Sequence, residues 1–122
     1  MIIQKGIRGA ITVEENTADS IAANTRMLLE QLISDNQLSN EDMVSVLFTA
    51  TADLTKVYPA KVAREFGLSD VPLMCLQEMY VEESLEKCLR VLITINCKPE
   101  RKITHSYLKE AVRLRPDLSE KD

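Results

Sequence analysis

The clearest pattern in the chain is an apolar stripe at the spacing of about 3.6 residues that a core-facing helix needs. This stripe predicts a helix over residues 18–35 with Thr17 as its N-cap. The stripe consists of Ile21, Thr25, Leu28, Leu29, Leu32 and Ile33. A short helix is predicted over 58–67, because a proline falls in its first turn and a glycine at its end. Helical spacing also predicts a helix over 99–112.

Four other segments are apolar and rich in β-branched residues, which predicts strands over 2–13, 43–51, 71–79 and 87–96. After the last helix, residues 113–118 are predicted to run extended, because a proline restricts the residue before it. The order β-α-β-α-β-β-α indicates an α/β (α+β) chain with one sheet and helices on one side. A single long helix covers only one face of such a sheet. The other face must be buried in another way, so we expect an oligomer.

Length and charge narrow the class of protein. A chain of 122 residues is expected to form one domain. The net charge of −4 argues against nucleic acid as a partner. No apolar run approaches the roughly 18 residues of a membrane span, and the N-terminus lacks a signal-peptide pattern, so a cytoplasmic location is expected. Three cysteines without a CxxC pair are expected to be thiols, and a single histidine argues against a catalytic zinc site.

Two arginines interrupt the apolar segments. Arg8 lies between Gly6 and Gly9 in the first strand, among apolar residues that give its charge no partner nearby in sequence. Arg90 lies in the run "CLRVLITI", where alternation places it on the opposite face from Leu89, Val91 and Ile93. A buried, unpaired guanidinium is costly. Each arginine could therefore pair with a carboxylate or face water, or the two could collect around an anion.

Further cations and polar groups could join such a site. Lys61 and Arg64 are three residues apart and share a helix face, and Arg113 and Arg115 lie in the extended tail. Guanidinium groups bind carboxylates in a planar, bidentate manner.

Glu78 ends an apolar strand, where α/β sheets commonly bind ligands. A salt bridge to Arg90 or a solvated strand end explains it equally well. For Cys75 and Tyr107 a place in the core is the favoured interpretation, and His105 is interpreted as structural. The chain has no nucleophile motif and no phosphate loop. An enzyme with this sequence would therefore act by positioning and charge.

Five fragments together are similar to the small monofunctional chorismate mutases of the trimeric Bacillus type. They are "GIRGAITVEENT", "DLTKVYPAKVARE", "VPLMCLQEM", "KCLRVLI" and "YLKEAVRLRPDL", and they span nearly the whole chain in order. The resemblance implies a homotrimer whose sheets form a pseudo-α/β barrel, with active sites between adjacent subunits. It implies rearrangement of chorismate to prephenate, in aromatic amino acid biosynthesis on the shikimate pathway, with no cofactor and no metal.

The resemblance also implies roles for individual residues. Arg90 would place its charge at the ether oxygen of chorismate and also contact a carboxylate. Arg8 and Tyr107 would hold carboxylates, and Glu78 with Cys75 would meet the ring hydroxyl. Gly6 and Gly9 would let substrate or a neighbouring backbone come close. The remaining substrate-binding residues would be Tyr58, Ala60, Lys61, Arg64, Leu73, Met74, Leu114 and Arg115. One domain would cover 1–122, with 113–122 as a mobile tail that orders over the ligand.

Two other hypotheses stay open at this stage. The trimer could keep the anion pocket but not catalyse, and act as a sensor or regulator of aromatic metabolism. It could also be a scaffold that only trimerises, which would leave the two embedded arginines without a reason unless local carboxylates pair them.

Overall fold

The structure is a computed structural model that describes residues 1–117. Its elements in chain order are β1 (Ile3–Thr12), α1 (Ala18–Asn36), β2 (Met43–Ala50), α2 (Pro59–Phe66), β3 (Leu73–Gln77), β4 (Cys88–Cys97) and β5 (Ser106–Leu108). Two 3₁₀ helices, Asn40–Asp42 and Lys109–Arg113, precede β2 and follow β5. Residues 118–122, the end of the predicted tail, lie outside the described residues.

The five strands form one mixed sheet in the order β3-β2-β4-β1-β5. The central strand β4 runs antiparallel to both of its neighbours, β1 and β2. The edge strands β3 and β5 run parallel to β2 and β1. The prediction of a single mixed sheet with one long helix on one face is therefore confirmed.

The long helix α1 begins where the sequence predicts. The Thr17 side chain accepts a hydrogen bond from the backbone N–H of Ser20 at 3.0 Å, which satisfies one of the free N–H groups at the helix start. Leu28, Leu29 and Leu32 are fully buried against one face of the sheet. Among residues 1–117, no helix combines the length and the apolar character required to cross a bilayer.

Gly9 is needed because α1 and β5 come close to β1. A methyl group built on Gly9 would lie 2.8 Å from Leu32 Cδ1 and 3.1 Å from the Ser106 carbonyl oxygen. The second of these atoms belongs to the backbone and cannot move freely. The expected close approach at Gly9 is thus made by a neighbouring backbone and by leucine side chains of the same chain.

The opposite face of the sheet, which we call the open face, is not covered by α1 or α2. Strand register places Leu47 of β2 between Met74 of β3 and Leu92 of β4. These three side chains form an apolar row across the sheet and are 37%, 57% and 38% exposed, respectively. Arg8 and Arg90 lie on the same face. The expectation that the long helix covers only one face is borne out for residues 1–117, and on the open face the 3₁₀ helix Lys109–Arg113 packs only over the end near Ala10 and Tyr107.

The helix predicted over 99–112 is wrong. The chain instead forms β5, which pairs with β1, and then the 3₁₀ helix Lys109–Arg113. Lys109 has a left-handed φ of +55°, which interrupts any continuous right-handed helix. The pairing with β1 satisfies the backbone of Ser106–Leu108, and tertiary context thereby overrides the helical spacing. The extended conformation predicted from Arg113 is also wrong there, because Arg113 is helical and Leu114 has φ −74° and ψ −40°.

Candidate active site

The two arginines singled out from the sequence are close neighbours on the open face. Arg8 pairs with Leu92, and Arg90 pairs with Ala10, in the antiparallel ladder of β1 and β4. They are therefore diagonal neighbours, a relation that puts two residues about 7–8 Å apart and their Cβ atoms somewhat closer. Within residues 1–117, the Arg8 side chain makes no ion pair or hydrogen bond. The central position of β4 does not bury Arg90, because the open face leaves its side chain 47% exposed.

Glu78 lies directly after β3 and beside Arg90. Its backbone N–H donates to the Ala50 carbonyl at 2.9 Å, which fixes its place at the end of the strand. Glu78 Oε1 is 3.4 Å from Arg90 Nε and also accepts a short hydrogen bond from the Thr49 hydroxyl. The salt bridge considered from the sequence is therefore present, and a carboxylate lies next to the cation.

Tyr107 lies on the same face of the sheet as Arg8, Arg90 and Glu78. It pairs with Ala10 in the ladder of β1 and β5 and is buried with Ala10, Cys88 and Ala111. Leu114 packs against the same small cluster. Burial raises the pKa of the Cys88 thiol, so this cysteine is a neutral core group.

His105 has the structural role expected for it. Its Nδ1 accepts the backbone N–H of Arg8 at 2.9 Å. Burial lowers the pKa of His105, and the charges of Arg8 and Arg115 lower it further. Arg115 in turn donates to Asp117 at 2.8 and 3.0 Å, and it lies close enough to Tyr107 for an electrostatic interaction. The described part of the tail therefore lies near Arg8 and Tyr107.

A second group of predicted site residues surrounds α2. The Ala60 backbone N–H donates to the Cys75 sulfur at 3.3 Å, and burial raises the pKa of this thiol. Lys61 pairs with Glu65 at 3.0 Å on the exposed side of the helix. The positive charge of Arg64 opposes the effect of burial and lowers the pKa of Cys75 slightly. Leu73 packs against the main core.

The group around α2 borders a groove of its own. Tyr58, Lys61 and Cys75 are among the residues that line this groove of about 700 Å³. Tyr58 immediately precedes α2 and is 72% exposed.

Within one chain, these two groups are separate. Cys75 pairs with Phe48, a core residue, and its thiol contacts α2. Glu78 instead contacts Thr49 and Arg90 on the open face. The thiol of Cys75 and the carboxylate of Glu78 therefore belong to different clusters, although the resemblance assigns both to the ring hydroxyl. Met74 belongs to neither group and lies in the exposed apolar row.

Neither Arg8 nor Arg90 lines the groove beside α2 or the cavity nearest to Glu78. A cavity of about 260 Å³ reaches Glu78, but its other charged lining groups are Asp53 and Glu86. An acidic cavity of this kind is unsuited to a dicarboxylate substrate. The cations instead face outward from the sheet, where another copy of the chain could complete an enclosure. Among residues 1–117, no group of His, Cys, Asp and Glu side chains could hold a metal ion.

Sequence reasoning missed Thr49. It contacts Glu78 across 29 positions of the sequence, and it faces Arg90 in the ladder of β2 and β4. The available signal was alternation, which places a hydroxyl at position 49 on the same face as Leu47. The alternation alone did not indicate what the hydroxyl would contact.

Comparison with known proteins decides the family. The family model described as chorismate mutase type I matches residues 4–118. This chain belongs to the type I chorismate mutases. The resemblance noted in the sequence fragments is thereby confirmed, and the enzyme is an isomerase.

Individual relatives agree with this assignment. The chorismate mutase AroH of Bacillus subtilis is 48% identical over 117 residues, which cover 94% of this chain and 92% of the relative. The chorismate mutase AroH of Thermus thermophilus is 47% identical over 116 residues, which cover 93% and 95%. A solved chorismate mutase from Clostridium thermocellum superimposes with a TM-score of 0.84 at 44% identity, and the match covers 88% of this chain and 96% of that one.

Proposed function

We propose that this chorismate mutase converts chorismate into prephenate by holding the substrate in its reactive shape and by stabilising charge at the ether oxygen. In this rearrangement an ether C–O bond breaks while a C–C bond forms. Electron density builds up on the ether oxygen in a chair-like transition state. The enzyme must therefore restrict a flexible dicarboxylate and present fixed positive charge, and it needs no nucleophile.

The single observation that carries this mechanism is the pair of neighbouring arginines on the open face. Arg90 would donate to the ether oxygen, and Arg8 would bind a carboxylate. A guanidinium has five N–H donors in a planar arrangement that fits both tasks. The Tyr107 hydroxyl would hold a carboxylate beside Arg8, and Glu78 would accept from the ring hydroxyl. The Arg8 side chain, without an ion pair in residues 1–117, is free for such a role.

We further propose a homotrimer with the active sites between adjacent subunits. The exposed row of Met74, Leu47 and Leu92 supports this, because an apolar row of this kind is usually covered by a partner. The separation of the two groups of site residues also supports it. A neighbouring copy would bring its α2 wall against the arginines. That wall would comprise Tyr58, Ala60, Lys61, Arg64, Leu73 and Cys75.

Two smaller parts of the proposal concern the tail and the location. Leu114 and Arg115 would close over the bound substrate, which the nearness of Arg115 to Tyr107 supports. A cytoplasmic location is proposed because Cys75, Cys88 and Cys97 are all free thiols. The non-catalytic sensor is not favoured, since the family matched by the chain is one of enzymes.

The test is a turnover assay combined with a measurement of mass. The pure protein is mixed with chorismate, and the loss of chorismate absorbance is followed while prephenate is identified as the product. Analytical ultracentrifugation of the same sample reports the number of subunits. Ligand-induced stabilisation without turnover would overturn the enzyme and favour the sensor. A monomer with full activity would overturn the interfacial site.

A further inference from the structure

Thr49 is placed by the sheet between the two charged groups of the open face. It pairs with Arg90 on one side and with Leu76 on the other, so β2 lies between β3 and β4 at this level. Glu78 follows two residues after Leu76, on the same face of the chain. The Thr49 hydroxyl therefore stands beside the Glu78 carboxylate. A β-branched side chain has few χ1 rotamers, so the hydroxyl is held in place by the strand itself.

The carboxylate is hydrogen-bonded to Thr49 and only ion-paired with Arg90. The Thr49 hydroxyl donates to Glu78 Oε1, whereas Arg90 approaches that oxygen no nearer than 3.4 Å. A charge-assisted hydrogen bond from a guanidinium is usually about 2.7–2.9 Å long. The arginine and the carboxylate thus attract each other but do not form the bidentate salt bridge that such pairs commonly adopt.

A bidentate salt bridge between Glu78 and Arg90 would conflict with the proposed chemistry. If Glu78 turned to Arg90 and accepted two parallel N–H bonds, those donors would no longer be available to an ether oxygen. The carboxylate would also move away from the ring hydroxyl. A group that keeps Glu78 at its present distance therefore protects both proposed roles at once.

We infer that Thr49 is a positioning residue for the rearrangement, which holds Glu78 away from Arg90 so that both side chains can address the substrate. This inference rests on the proposed function. Thr49 acts through Glu78, and its own hydroxyl has its single donor committed to the carboxylate. The consequence is a selective dependence of the chemical step on a hydroxyl at position 49.

The experiment compares Thr49→Val, which has nearly the same shape without the hydroxyl, with Thr49→Ser, which retains it. We expect Thr49→Val to lower kcat by about tenfold, as for loss of a hydrogen bond to a charged group, with a smaller change in KM. Thr49→Ser should restore most of kcat. Thr94→Val is the matched control. Thr94 lies on β4 and, like Thr49, on the open face of the sheet, and its hydroxyl makes no hydrogen bond within residues 1–117. It should leave kcat unchanged.

A double-mutant cycle separates positioning from a general effect on the sheet. In a Glu78→Ala background, which removes the acceptor of the Thr49 hydroxyl, Thr49→Val should change kcat by less than about twofold. Equal losses for the valine and serine variants, or losses that multiply in the double variant, would overturn the inference. If Thr49→Val does not fold, Thr49→Ala takes its place against Thr49→Ser.

Wild-type turnover is measured first, so the two possible failures are distinguishable. An inactive wild type would overturn the proposed function together with this inference. An active wild type whose kcat survives Thr49→Val would overturn the inference alone.

Discussion

Replacing Arg90 by glutamine should reduce the reaction rate far more than the stability. The ion pair with Glu78 is 3.4 Å long and its side chains are 47% and 22% exposed, so it contributes only about 0–1 kcal/mol to folding. Glu78 keeps its hydrogen bond from Thr49 in the variant. Loss of one preorganised donor at a developing negative charge costs about 3–4 kcal/mol in the barrier, which is a factor of ~10²–10³ in kcat.

The assay measures kcat and KM from the loss of chorismate absorbance, together with the melting temperature and the subunit number of each variant. Arg26→Gln is the control, because Arg26 is exposed on α1 and its side chain has no ion pair within residues 1–117. Arg90→Lys keeps the charge but loses the planar arrangement of donors, so its rate should fall between wild type and Arg90→Gln. Wild-type kcat in Arg90→Gln would refute the charge-stabilisation mechanism. If unfolding or dissociation of Arg90→Gln explained the whole loss of rate, the claim that the ion pair contributes little to stability would be refuted.

Three further variants test the interface, the end of β5 and the packing of β1. Leu47→Asp puts a charge into the exposed apolar row and should shift the sedimentation profile toward monomers with loss of activity; an intact, active oligomer would contradict the proposed interface. Glu14→Gln should cost about 1 kcal/mol at pH 7, a value reduced for solvent screening because the Glu14 side chain is 59% exposed. Hydrogen bonds from Lys109 and, to a smaller extent, from Asn24 lower the pKa of Glu14 from 4.5 to about 2. This stability is therefore present above pH 4.5 and is lost as the pH falls toward 2. Urea unfolding across that range should show the difference from wild type shrinking, and a constant difference would count against the ion pair. Gly9→Ala should lower stability by about 1–3 kcal/mol through overpacking against the Ser106 carbonyl, and an unchanged melting temperature would show that β5 yields easily.

The elements that local pattern determines were predicted well. The leucines of α1 recur at one spacing and Thr17 offers a side-chain oxygen at the start, so the helix begins at the predicted residue. The alternation of residues around Arg90 correctly predicts that Val91 and Ile93 lie on the buried face of β4 and that Arg90 lies on the exposed face. Both features depend on residues that are near one another in sequence, and so a single sequence contains the information.

Features that depend on distant partners were not predictable in the same way. Ser106–Leu108 is a strand only because β1 offers a free edge almost a hundred residues earlier. Tyr107 and Ala111 have helical spacing even though Lys109 between them is left-handed. The contact of Thr49 with Glu78 likewise requires β2 and β3 to be paired in register. Tertiary packing decides which strands pair and which side chains come into contact. The local spacing of residues does not encode these pairings.

Strand β5 is tied to α1 at two anchor points as well as to the sheet. The Asn36 side chain exchanges two hydrogen bonds with the backbone of Thr104, at 2.8 and 2.9 Å, and Lys109 Nζ donates to Asn24 Oδ1 at 2.6 Å. The twelve helical steps from Asn24 to Asn36 span about 18 Å. The five steps from Thr104 to Lys109 reach at most about 17–18 Å when fully extended. The segment that carries Tyr107 therefore runs along the helix and is tied to it at both ends. Helix α1, on the far side of the sheet from the arginines, thereby helps to fix the tyrosine along β1 from both ends of its segment.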